Sequence, residues 1–110
     1  MSYSVKGTTI TLTRGDTFGA NLEIRRPDGT LYIPSKDDKI RFALKSKISD
    51  KEPLILKEIP ISTMMLLLYP EDTKDLPFGQ YFYDVELTKA SGAVSTFITK
   101  SKLNLTEEVY

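Results

Sequence analysis

The chain has 110 residues, with 15 basic and 15 acidic side chains and neither histidine nor cysteine. That length supports one ordinary core, so a single domain over residues 1–110 is expected. The missing residue types exclude a disulfide framework, a thiolate zinc site and the usual near-neutral general base, and the balanced charge argues against nucleic-acid binding by phosphate neutralisation and against steering to a membrane.

In chain order, Thr8–Thr13 alternates threonine with Ile10 and Leu12 and predicts a half-buried strand. Arg14-Gly15-Asp16 reads as a turn. Thr17–Arg25 predicts a second strand with Phe18, Ala20, Leu22 and Ile24 at period two. Arg26-Pro27-Asp28-Gly29 is a hairpin signal, because Gly29 tolerates positive φ and Pro27 fixes its own. Leu31–Ile33 returns as a short strand stopped by Pro34, and Ser35–Asp38 is a polar loop. Lys39–Lys47 alternates Ile40, Phe42 and Leu44 against polar neighbours. Ile48–Pro53 is the longest polar break. Leu54–Ile59 and Met64–Tyr69 are two further strands, with a turn at Pro60 and Ser62-Thr63. Pro70–Leu76 predicts one helical turn, with proline first and acids early. Gly79–Thr88 is the clearest strand, with Tyr81, Tyr83, Val85 and Leu87 on one face. Lys89–Gly92 is a second hairpin turn, and Val94–Lys100 and Leu103–Val109 close the chain as strands.

About eight short strands at this spacing, with turn signals between them, predict an all-β sandwich or barrel. The expected core is Ile10, Leu12, Phe18, Leu22, Ile24, Ile40, Phe42, Leu44, Leu66, Leu68, Tyr81, Tyr83, Val85, Leu87, Phe97 or Ile98, and Leu105. The first residues show no apolar signal segment, and the run Met64–Tyr69 is far short of the ~20 residues a spanning helix needs. Synthesis as a soluble cytoplasmic product is therefore expected.

No set of residues marks a chemistry. Arg14-Gly15-Asp16 is the tripeptide that integrins read, but glycine and aspartate are also the ordinary residues of a turn. Asp28, Asp37, Asp38, Asp72 and Asp75 lie in polar segments without the compact run that holds calcium, and turn formation accounts for each. Ser35, Ser62 and Ser91 have no histidine to activate them; Lys36 and Lys89 lie near in sequence but on turns, where lysines stay solvated. No glycine-rich phosphate loop is present. Asn104-Leu-Thr106 matches a glycosylation pattern that matters only after export. The expectation is therefore no catalytic residue, no metal and no cofactor. Phe82 shares its parity with Asp84 and Glu86, so it faces away from the expected core. Two readings stay open for it: an exposed interface anchor, or a side chain covered by Tyr69, by the Pro77-Phe78 corner or by the last strand. Tyr3 and Tyr110 lie at the chain ends, which a partner would order.

Several segments carry a family resemblance: Ile10–Thr17, the Asp28-Gly29 hairpin, Asp38–Lys45, Pro70–Thr73, Gly79–Leu87 and Gly92–Phe97. On these the chain resembles small phage and prophage structural proteins of Gram-positive bacteria, and is similar to the immunoglobulin-like N-terminal modules of phage baseplate upper proteins. The resemblance spans roughly Thr8 to Val109. It implies an immunoglobulin-like antiparallel β-sandwich of about seven to nine short strands, with Tyr81 as a tyrosine corner closing onto the Asp72–Leu76 turn. It also implies a non-enzymatic structural or interaction module of a tail, baseplate or capsid, and so a virion component. The partners would be other phage structural proteins or further copies of the chain, as a homo-oligomer or a ring-docked subunit. Phe82, Asp84, Tyr69 and Phe78 are then the expected interface residues. Gly15, Asp16, Asp28, Gly29, Asp72, Gly79 and Tyr81 are the turn and corner residues. The alternative is a module binding cell-wall carbohydrate through Tyr32, Tyr69, Phe78 or Phe82. A hydrolase remains the rarest outcome, since it needs two carboxylates about 5–9.5 Å apart in a cleft.

Overall fold

Alternating apolar and polar residues build most of the chain into strands, 52% of it against 4% helix, and the fold is all-β. The computed structural model describes residues 3–6, 8–26 and 28–107. Pro27, Tyr110 and the Glu108-Val109 end of the last expected strand lie outside the described residues. The strands are β1 (Tyr3–Lys6), β2 (Thr9–Thr13), β3 (Phe18–Asn21), β4 (Ile24–Arg25), β5 (Leu31–Tyr32), β6 (Lys39–Lys45), β7 (Ile55–Ile59), β8 (Met65–Leu68), β9 (Gly79–Thr88) and β10 (Val94–Thr106), with one helical turn α1 (Pro70–Thr73).

Six strands form the main sheet in the order β1-β2-β10-β9-β6-β7, while β3 pairs with β8 and β4 with β5 in two-stranded ladders. Ile10 and Leu12 of β2, Ile40, Phe42 and Leu44 of β6, Tyr81, Tyr83, Val85 and Leu87 of β9, and Leu103 and Leu105 of β10 are buried on one face of the sheet. Phe18 of β3 and Leu66 and Leu68 of β8 join the same apolar cluster, giving a sandwich-like arrangement. Phe42 and Tyr83 meet at its centre, with ring centroids 5.3 Å apart.

The structure corrects the sequence expectations at several points. Thr17–Arg25 is two strands: the Leu22 N–H bonds to the Met64 carbonyl at 2.7 Å, after which the chain leaves β8 and pairs with β5. Leu22 is accordingly half-buried rather than buried. The last two expected strands are one, β10, whose ladder with β9 shifts register between Thr96 and Ile98 and again between Ile98 and Ser101. Each irregularity resets which side chains face inward, so Phe97 and Ile98 are both half-buried. The main sheet is not wholly antiparallel, because β2 runs parallel to β10, with Leu12 opposite Leu105. No hairpin joins these distant strands, so no turn dictates their direction. The helical turn spans only Pro70–Thr73, and Tyr3–Lys6, expected only as a chain end, forms a strand on β2. Ile55, Ile59 and Leu103 complete the core, beyond the residues expected there.

Candidate interaction surface

The expected turn residues build a corner where β2, α1 and β9 meet. Gly15 has φ 84°, and its N–H donates to Thr73 Oγ1 at 3.0 Å, with Thr73 wholly buried. The Asp16 N–H bonds to the Thr13 carbonyl at 3.1 Å. The Arg14 guanidinium donates to the Leu76 carbonyl at 3.1 Å and lies 4.0 Å over the Phe78 ring. Arg14 is therefore held in the corner, in a structural role rather than that of an exposed recognition tripeptide. The Tyr81 hydroxyl donates to the Pro77 carbonyl at 2.6 Å, one residue beyond the expected Asp72–Leu76 turn. Burial raises the Tyr81 pKa above the ordinary phenol value, although Arg14 nearby opposes the shift. Burial likewise raises that of Tyr83, whose hydroxyl donates to the Thr8 carbonyl. Asp72 accepts from the Tyr69 N–H at 2.7 Å and pairs with Lys57 Nζ at 2.9 Å, tying α1 to β7. Gly79, at φ 141°, opens β9 after this corner.

At the other end, Asp28 Oδ1 accepts from the Thr30 N–H at 2.9 Å and from the Thr30 hydroxyl at 2.6 Å, and these bonds lower its pKa. Gly29, at φ 89°, closes that hairpin. Asp38 is buried at 6% exposure, yet accepts from the Tyr32 hydroxyl at 2.6 Å and the Ser35 N–H at 3.0 Å. Its pKa falls, chiefly through the Tyr32 bond, and the Tyr32 pKa rises for the same reason. Arg26 and Lys89 stand over the Tyr32 ring, at 5.4 and 5.1 Å. Among the described residues no three His, Cys, Asp or Glu gather where they would hold a metal ion.

The four expected interface residues do not form one surface. Phe82 and Asp84 stand together on the outer face of the main sheet, in a shallow depression shared with Ala43, Lys45 and Ile48. Phe82 is half-buried, opposite Lys45 on one side and Lys102 on the other. Neither Tyr69 nor Phe78 covers it: Phe78 belongs to the Arg14 corner, and Tyr69 lines a cleft of about 350 Å³ between β7 and β8 with Lys57, Ile59, Pro60 and Leu66. The aromatic residues expected for sugar stacking are equally dispersed among these surroundings.

A feature not foreseen from the sequence lies along β7 and the loop that precedes it. Ile48, Leu54 and Leu56 are exposed by 52, 49 and 57%. Leu56 is opposite Ala43 and belongs to β7, which has a strand partner on one side only among the described residues. The signal was present: in Leu54–Ile59 the apolar residues are too many for a single buried face. Comparison with models of known families, with curated proteins and with solved structures gives no match.

Proposed function

We propose that this chain is an immunoglobulin-like β-sandwich acting as a non-enzymatic interaction module of a phage or prophage particle, through protein–protein contacts. The fold part rests on connectivity. β9 lies between β6 and β10, β3 pairs with β8 in the other layer, and Tyr81 bonds back to Pro77 just after the helical turn. An immunoglobulin sandwich has this arrangement around its F strand, including the tyrosine corner. The particle part rests on the resemblance carried by Ile10–Thr17 and Gly79–Leu87.

The observation that carries the interaction reading is the depression shared by Ile48 and Phe82 on the sheet's outer face, together with exposed Leu54 and Leu56 at the one-sided strand β7. Exposed apolar groups bordered by polar residues mark contact surfaces, and an open strand edge offers a ready row of backbone donors and acceptors. The test combines light scattering over a concentration series with co-sedimentation on particles from a producing host. A closed oligomer or particle association is expected. A protein that stays monomeric and never enters the particle fraction overturns the reading.

A further inference from the structure

We propose that two copies of this chain pair antiparallel through the open edges of β7, with Leu56 opposite its own copy on the two-fold axis. This rests on the interaction-module reading and names its partner as a second copy. Proline brackets the edge at Pro53 and Pro60, which leaves residues 54–59 as the stretch able to extend a ladder. A two-fold axis normal to the sheet places residues of equal parity opposite one another.

The registers can then be told apart by charge. Centring on Lys57 sets two lysines face to face, and centring on Glu58 sets two glutamates face to face; both are unfavourable. Centring on Ile55 shortens the ladder, because beyond the 54/56 pair it needs Pro53, without an N–H, opposite Lys57; centring on Leu56 defers proline by one pair, to a position opposite Ile59. Centring on Leu56 sets leucine against leucine and keeps Lys57 and Glu58 away from their own copies. Lys57 does not guard the edge as edge lysines commonly do, because it is drawn to Asp72 at 2.9 Å. In this register the exposed Leu56 of each copy, with exposed Leu54 two residues before it, extends one apolar surface across the axis. The equal numbers of acids and bases set no net repulsion against self-association. In this register residues 54–58 pair, five a side, with Ile59 falling opposite Pro53; such a contact is smaller than a standard interface, so the dimer is weak in solution and gains strength where copies are already held together.

Because the chain has no cysteine, single-cysteine variants report the axis directly. Leu56→Cys is expected to cross-link to a covalent dimer with a short thiol-reactive linker, while Val94→Cys, exposed at the far hairpin, remains monomeric. Sedimentation equilibrium is expected to show dimerisation weakened about tenfold or more by Leu56→Lys, which places like charges on the axis. Self-association untouched by Leu56→Lys, with equal cross-linking at both cysteine positions, overturns the edge contact and leaves the interaction-module reading standing. A chain monomeric at every concentration also overturns the edge contact; co-sedimentation with particles then decides the interaction-module reading separately.

Discussion

Thr73 is a polar side chain in an apolar setting, and its hydroxyl accepts the Gly15 N–H. Thr73→Val keeps the shape and strands that donor, so a loss of about 1–3 kcal/mol is expected by chemical denaturation. Tyr81→Phe removes the bond to Pro77 without leaving a donor stranded, and a smaller loss of about 0.5–1.5 kcal/mol is expected. Asp38 ties stability to acidity. Its folded pKa is lowered, so its contribution is complete above the unfolded value of about 3.9 and disappears as the pH falls through the folded one. Asp38→Asn should flatten that part of the acid limb in a pH series of melting temperatures. Tyr81 and Tyr83 act in the opposite sense. Their raised folded values preserve stability below about pH 10 and withdraw it as the pH climbs through them, which a spectroscopic phenol titration would follow.

Among the elements, the Arg26–Thr30 hairpin allows a clean test of backbone conformation. A side chain at Gly29 would meet nothing within 4 Å, so only its φ of 89° resists substitution. Gly29→Ala should cost about 1–2 kcal/mol in thermal unfolding, with the sheet unchanged. How well each strand was legible in the sequence follows from what fixes it. β9 could be read from Gly79 to Thr88 because aromatic and aliphatic residues alternate with polar ones for its whole length. The break after Asn21 was hidden because Phe18, Ala20, Leu22 and Ile24 keep one period, while the change of partner from β8 to β5 is a tertiary event. β10 misled in the other direction: its two register shifts interrupt the alternation, and the strand continues through them because β9 pairs on both sides. At the candidate surface, Phe82 was legible from parity with Asp84 and Glu86. Ile48, which shares its depression, was not, since it lies in the loop after β6 and only the folded chain brings it to Phe82.

At the scale of the whole molecule, Phe42 is wholly buried at the meeting of β6, β9 and the Tyr83 ring. Phe42→Ala should remove about 3–5 kcal/mol, a large share of the stability of a domain this size and enough to populate the unfolded state on mild heating. The main sheet also has a consequence for how the domain can be attached. Tyr3 lies opposite Leu12, and Leu12 opposite Leu105, so the first and last described strands carry the chain to one corner only two strand spacings apart, roughly 10 Å. A short linker should therefore join the two ends, with new ends opened in the polar segment Lys51-Glu52, and such a circular permutant should keep its β-sheet circular dichroism. By the same geometry, the domain can be grafted as a unit into a surface loop of a carrier protein. Because β7 is the strand farthest from β1, a carrier joined at that corner would leave the opposite margin of the sheet pointing outward.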